Sequence, residues 1–95
     1  MAIVVETLVP RATRAEAEQF DASIEASMME LGGPPPGLMV HFARPDGDGF
    51  LLSNVWRNES DMRPFYDEVV LPRLAEAGLQ HDESKIFPVW VLARP

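Results

Sequence analysis

The stretch GLMVHFARPDGDGFLLSNVWRNESDMRPFY, residues 37–66, decides the predicted fold. Residues 38–44 and 50–57 are mostly apolar and are bounded by turn-forming residues, which is typical of strands. The Asp46-Gly47 pair between them is typical of the turn that closes a β-hairpin. Asn58 follows the second strand and can accept a backbone N–H at the start of a helix. The stretch therefore predicts a hairpin that leads directly into a helix.

The preceding segment predicts a strand and an amphipathic helix. Residues 2–9 (AIVVETLV) are largely β-branched and are bounded by Pro10. Thr13 and Glu16 form a capping box, in which each side chain satisfies a backbone N–H at the helix start. Along residues 14–31, three- and four-residue spacing predicts one apolar stripe. The stripe comprises Ala17, Phe20, Ile24, Met28 and Leu31, and acidic residues fill the other side, namely Glu16, Glu18, Asp21, Glu25 and Glu30.

The following segment predicts an interrupted helix and a last strand. Pro64 and Pro72 fall inside the second helix and remove hydrogen bonds from it. We therefore expect a kink or break near Pro72 and a final helical piece that ends at Gly78. Residues 85–93 (KIFPVWVLA) predict the last strand. Because Pro88 cannot donate to a ladder, this strand should lie at a sheet edge or carry a bulge.

The resulting element order, β-α-β-β-α-β, is the split βαβ, ferredoxin-like arrangement. We predict one α+β domain, residues 1–95, with a four-stranded antiparallel sheet. The usual strand order, 4-1-3-2, leaves the fourth strand at an edge, which agrees with Pro88.

Both faces of this sheet are predicted to carry apolar side chains, although two helices can cover only one face. Consecutive apolar residues occur at 3–5, 50–52 and 89–92. A single chain would then expose a larger apolar patch than monomers usually do. We expect a homodimer in which two sheets pack together, forming a dimeric α+β barrel.

The composition of the chain limits which classes of binding partner are expected. The 95-residue chain has a formal charge of −7 and no cysteine. The charge argues against nucleic acid, which requires clustered Lys and Arg, and against anionic membrane surfaces. Without cysteine, thiol catalysis and thiolate metal sites are excluded. No apolar run approaches the roughly 20 residues of a membrane span, and the N-terminus lacks signal-peptide features. We therefore expect a cytoplasmic protein.

Local features of the hairpin and second helix resemble a known superfamily. They are Pro36, Gly37 and His41 at the first strand, Val55 and Trp56 at the end of the second, and then Phe65, Pro72 and Leu74. With the element order, they resemble the dimeric α+β barrel superfamily, which includes the antibiotic-biosynthesis-monooxygenase-like proteins. Many members hold a small-molecule cavity between sheet and helices, and some oxidise aromatic polyketides without metal or flavin. The resemblance implies a small apolar or aromatic ligand and no cofactor.

The predicted catalytic residues are His41, Asn54 and Tyr66. A half-buried imidazole at His41 can act as a base, or it can simply bond to a neighbouring element. Asn54 is a polar residue within an apolar strand, and a buried amide must find partners, which favours a pocket. Asn54 and Tyr66 match residue types that the monooxygenases place around their substrates. Tyr66 could orient a phenolic substrate or lie at the surface edge.

Trp56 heads the predicted ligand-binding residues, which also include Phe42, Met62 and Phe65. Trp56 is two residues from Asn54 and so shares its face of the strand. It can stack on a planar ligand or serve as a core tryptophan. His41 shares that face only if the hairpin register allows it, since a slip by one residue would separate them.

No metal site is predicted. The segment 46–49 (DGDG) resembles the start of a calcium loop, but the position that requires Glu is Arg57. Residues 81–83 (HDE) are adjacent, and adjacent side chains rarely converge on one ion.

Two classes of function remain open. The first is a small-molecule-binding enzyme, with cofactor-independent oxygenation of an aromatic metabolite, or a related proton transfer, as its leading form. The second is a non-catalytic small-ligand carrier or a structural dimerisation module. A haem role is supported only by His41.

Overall fold

In the computed structural model, which describes residues 1–93, the chain forms one antiparallel sheet whose core-facing side is covered by helices. In chain order the elements are β1 Ile3–Val9, α1 Arg14–Glu30, β2 Leu38–Asp46, β3 Gly49–Trp56, α2 Glu59–Phe65, a π-helical turn Tyr66–Val70, α3 Leu71–Glu76 and β4 Lys85–Pro88. The strand order is β2-β3-β1-β4, and each neighbouring pair is antiparallel. This confirms the predicted ferredoxin-like α+β fold and the edge position of β4.

The start of α1 has the predicted capping box. The Thr13 hydroxyl accepts from the Glu16 backbone N–H at 3.1 Å, and the Glu16 carboxylate accepts from the Thr13 backbone N–H at 3.0 Å. Both groups would otherwise be left without partners at the helix start. At the other end, Gly32 has a φ of +94°, a conformation that glycine adopts without steric cost.

The second helical segment is interrupted earlier than the sequence predicts. Its irregular turn is the π-helical stretch Tyr66–Val70, and Pro72 lies in the first turn of α3. The Leu71 N–H bonds to the Tyr66 carbonyl, five residues back. A wider turn just before Pro72 relieves the clash of a proline ring with the carbonyl four residues earlier. The proline therefore shifts the irregularity into the turn that precedes it.

β4 is shorter than predicted, so the expectation of a strand over residues 85–93 is wrong. Pro88 lies opposite Ile3, the first residue of β1. Within the described residues beyond Pro88, one further backbone bond to this edge forms, from the Val89 N–H to the Ala2 carbonyl at 2.9 Å. Strand pairing stops because its partner strand has ended. Trp90 and Val91 are consequently 89% and 87% exposed.

The two sheet faces differ in burial. In β1, buried residues alternate with half-buried ones, and the buried set packs with α1 and the second helical segment. On the opposite face one cross-strand row runs through all four strands, formed by Val40, Val55, Val4 and Phe87. Val40 and Phe87, at the two edges of the row, are each 44% exposed. The predicted apolar second face is therefore present: its two edges are exposed, whereas Val55 in the middle of the row is only 9% exposed. No helix among residues 1–93 is long and apolar enough to cross a membrane.

Candidate functional site

A cavity of about 570 Å³ lies between α1 and the β2-β3 hairpin. Its apolar wall includes Phe20, Ile24, Met28, Leu38, Leu52, Trp56, Phe65 and Val70. Its polar lining includes His41 and Asn54 from the hairpin and three carboxylates from α1, those of Glu18, Asp21 and Glu25. Within the described part of the chain, no Lys or Arg lines it. The cavity is thus apolar in its walls and acidic along α1.

The hairpin register brings the polar side chains together. His41 of β2 pairs with Asn54 of β3, and Leu38 pairs with Trp56. A register shift lies between Leu38 and Val40, so one extra residue, Met39, is accommodated there. Because paired residues of an antiparallel ladder point to the same face, His41, Asn54 and Trp56 all face the helices. All three line the cavity.

Asn54 is held in one orientation by Trp56. The indole Nε1–H donates to the Asn54 Oδ1 at 2.6 Å. An indole nitrogen can only donate, so the carbonyl oxygen of the amide must face it and the NH2 group must point away. Among residues 1–93, that NH2 group has no partner, yet no buried side-chain nitrogen or oxygen is left unpaired. The Asn54 NH2 group therefore reaches open space and can donate to a ligand in the cavity.

Trp56 and Phe65 form the floor of this site. Trp56 is only 1% exposed, and its ring centroid lies 5.9 Å from that of Phe65 with the planes tilted by 50°. This tilted arrangement is one of the preferred geometries of aromatic pairs. Trp56 is thus both a core residue and a cavity wall. Its N–H is already used by Asn54, so only its ring is available to a ligand.

The lining residues of α1, among them Asp21 and Glu25, were not among the predicted site residues. The Asp21 Oδ1 lies 3.6 Å from His41 Nδ1, and ligand atoms of Asp21, Glu25 and His41 all lie within 4.8 Å of one another. Each carboxylate directly follows a residue of the apolar stripe, Phe20 or Ile24. This position at the edge of the apolar stripe could have marked both carboxylates as lining residues, because residues at that edge border the space that the stripe covers.

This group of three is the one cluster among residues 1–93 with a donor set for a metal ion. Carboxylate and imidazole ligands would suit a divalent cation. However, the Asp21 side chain is 52% exposed and that of His41 is 35% exposed, and exposed acidic groups are common without an ion. Beyond its donor set, this cluster has no feature that points to a metal.

Tyr66 lies outside the cavity, which corrects its predicted placement. It is 5% exposed, and its hydroxyl bonds to the Ser84 Oγ at 2.6 Å and to the Thr7 Oγ1. Thr7 and Ser84 also bond to each other at 2.8 Å. The phenol therefore belongs to a buried hydroxyl cluster that joins the π-helical turn to β1 and the segment before β4. Its hydrogen-bonding capacity is used within the fold.

The other predicted ligand-binding residues differ in their position relative to the cavity. Phe65 lines the cavity. Met62 is 1% exposed and is not among the lining residues, so it is a core residue. Phe42 borders the cavity but pairs with Ser53, which puts its side chain on the opposite face from His41. Phe42 is 49% exposed there. The alternation of side chains along β2 accounts for this correction.

Fold and cavity together define an α+β protein of ferredoxin-like topology with a ligand-sized space between sheet and first helix. The solved structures that share this fold include SnoaB, a cofactor-independent oxygenase from Streptomyces nogalater, with a TM-score of 0.66 and 18% identity over 96% of this chain and 94% of SnoaB.

Two candidate antibiotic biosynthesis monooxygenases also share the fold. The protein from Deinococcus radiodurans has a TM-score of 0.62 and 14% identity over 100% of this chain and 98% of its own. The protein from Chloroflexus aurantiacus has a TM-score of 0.58 and 17% identity over 97% of this chain and 96% of its own. No protein-family model matches the chain, and no curated protein matches it either.

These likenesses confirm the predicted fold, which this chain shares with SnoaB and with the two candidate monooxygenases. At such identities they establish architecture, and the chemistry has to be argued from the side chains in the cavity.

Proposed function

We propose that the protein binds a small planar, apolar or aromatic molecule in this cavity and oxygenates it without a bound cofactor. One observation carries the proposal: the Asn54 NH2 group, which has no partner among residues 1–93, and the His41 imidazole lie opposite each other on the sheet side of a cavity with apolar walls. SnoaB, which shares the fold, is a cofactor-independent oxygenase. That likeness supports the choice of reaction.

The cavity suits such a ligand in size and lining. Its volume of about 570 Å³ falls within the roughly 300–1,000 Å³ that small-molecule sites occupy. Trp56 and Phe65 supply aromatic rings, while Ile24 and Met28 of α1 supply aliphatic cover on the opposite side. A flat ring system between these walls would bury apolar surface on both of its faces.

The polar pair would supply the chemistry. His41 accepts a proton from an acidic CH2 group of the substrate, and the charge that develops on a conjugated substrate oxygen is stabilised by the Asn54 NH2 group. The carbanion adds to dioxygen to give a peroxide, which takes a proton from the imidazolium. Loss of water then leaves a carbonyl. One CH2 group and one O2 thus give one C=O group and one water, and the substrate supplies the electrons.

Oxygen uptake with anthrone tests this function, because anthrone is planar and has an acidic CH2 group next to its aromatic rings. The wild type should consume oxygen faster than buffer, and His41→Ala should lose about a hundredfold or more, the usual contribution of a general base. His81→Ala is the matched control, since His81 lies in an exposed segment outside the lining. Anthrone binding without oxygen uptake in the wild type would exclude oxygenation of this ring class and favour the carrier.

A second copy of the chain is proposed as the partner that covers the open sheet face. The row formed by Val40, Val55, Val4 and Phe87 crosses the whole sheet, and its two edge residues are each 44% exposed. Two such rows packed together would remove this apolar surface from water. This dimer is compatible with both the enzyme and the carrier, because the cavity lies on the other face.

A further inference from the structure

One contact crosses from α1 to the sheet over the mouth of the cavity. The Asp21 Oδ1 lies 3.6 Å from His41 Nδ1. We propose that Asp21 is the positioning residue of His41, holding the ring proton on Nδ1 and leaving Nε2 as the proton acceptor. The consequence for catalysis rests on the proposed function, whereas the tautomer itself does not.

The chemistry of the two groups dictates the tautomer. A neutral imidazole carries one proton, on either nitrogen, and an ionised carboxylate can only accept. The nitrogen that faces Asp21 is therefore the one that keeps its hydrogen. Within residues 1–93, the His41 ring makes no hydrogen bond at normal length, and the one carboxylate oxygen within 4.0 Å of a ring nitrogen is that of Asp21. Asp21 is thus the one group on these residues that selects between the two tautomers.

The same contact would assist the proton transfer. When Nε2 takes a proton from the substrate, the ring becomes a cation whose Nδ1–H faces the Asp21 carboxylate, 3.6 Å away. The transferred proton stays on Nε2, and the Asp21 carboxylate stays ionised. An anion in direct contact with the imidazolium lowers the free energy of the charged form that the reaction produces.

Glu25 provides a matched control within the same helix. It lies one turn beyond Asp21 and carries the same charge, and its carboxylate is also within 4.8 Å of the His41 ring nitrogen. In the described residues the carboxylate oxygen within 4.0 Å of His41 Nδ1 is that of Asp21 rather than of Glu25. Asp21→Ala removes the contact as well as the charge. Glu25→Gln removes a comparable charge and leaves the contact intact.

Nitrogen-15 NMR of the two imidazole rings in their neutral forms tests the assignment. In the wild type, His41 should show a protonated Nδ1 and an unprotonated Nε2. His81 is the internal reference, because its Nδ1 lies 2.9 Å from the Asp82 carbonyl oxygen and must donate to it. Asp21→Ala should move His41 toward the Nε2-protonated form and leave His81 unchanged. Glu25→Gln should leave both rings unchanged, and Asp21→Glu should restore part of the wild-type signal.

The outcomes separate the two proposals. An unchanged His41 tautomer in Asp21→Ala, or an equal change in Glu25→Gln, would overturn the role of Asp21 whatever the activity. If anthrone is oxygenated, Asp21→Ala should lower kcat by about tenfold or more with little change in KM. This loss is smaller than the roughly 10⁴-fold loss of kcat that follows substitution of the buried carboxylate in a catalytic triad. If anthrone is not oxygenated, the proposed function fails for this substrate, and the nitrogen signals still decide on Asp21.

Discussion

The Trp56 indole N–H donates to the Asn54 Oδ1 at 2.6 Å, and this single bond fixes the side chain that carries the proposed function. It connects a residue that is 1% exposed to a cavity that is open to ligands. The amide therefore has a structural half, the oxygen that faces Trp56, and an available half, the NH2 group that faces the cavity. Stability and binding are expected to depend on different atoms of one residue.

Two substitutions at Asn54 should separate these halves. Asn54→Leu leaves the buried indole N–H without an acceptor, so the free energy of unfolding should fall by about 1–3 kcal/mol. Asn54→Asp keeps an oxygen for the indole but removes the NH2 donor, so it should cost less stability and still impair turnover. Chemical denaturation and oxygen uptake measure the two effects. An Asn54→Leu variant as stable as the wild type would show that the indole bond contributes nothing.

The open sheet face predicts a dimer. Light scattering at micromolar concentration should give about twice the chain mass of 10.6 kDa. Val40→Lys places a charge in the apolar row and should shift the protein to the monomer. The control is Met29→Lys, which makes the same change at an 81% exposed residue of α1. A monomeric wild type, or equal effects of both substitutions, would contradict the proposed interface.

Tyr66→Phe should affect stability and leave binding nearly unchanged. The substitution removes one hydroxyl from the buried cluster, but Thr7 and Ser84 still bond to each other at 2.8 Å. The loss should therefore lie near the lower end for a buried hydrogen bond, about 1 kcal/mol. Thermal melting and anthrone binding measure the two quantities. Loss of anthrone binding at unchanged stability would show that Tyr66 belongs to the ligand site.

Much of the fold could be predicted because its signals are local. Thr13 and Glu16 cap α1 through groups three residues apart, and Pro88 confines β4 to an edge by its missing N–H. The missed features depend on distant parts of the chain. β4 ends where β1 begins, and the extra residue Met39 sets the hairpin register. Neither event has a signal within its own segment.

The candidate site shows the same division. The sequence singled out Asn54 and Trp56 because their two-residue spacing shares one face of a strand. It missed Asp21, whose contact with His41 arises only when α1 packs over β2. It misplaced Tyr66, because the direction of its side chain depends on a π-helical turn whose position is set by packing around Pro72.

The acidic lining predicts which ligands the cavity selects. Glu18, Asp21 and Glu25 line it, and the described residues contribute no Lys or Arg. An anionic ligand should bind more weakly than a neutral one of the same shape. Repulsion from one carboxylate 4 Å away is worth about 1 kcal/mol in water, or roughly fivefold in affinity.

The matched pair 2-naphthol and 2-naphthoate tests this selection, because the two share a ring system and differ mainly in charge. Quenching of Trp56 fluorescence can report their affinities in a Trp90→Phe background, which removes the other tryptophan of the chain. At low salt, 2-naphthol should bind more tightly than 2-naphthoate. This difference in affinity should become smaller as added salt screens the repulsion between the naphthoate and the lining carboxylates. Asp21→Asn with Glu25→Gln should narrow it as well, whereas the control Glu30→Gln, outside the lining, should not. Equal affinities at low salt would mean that the carboxylates do not act on the bound ligand.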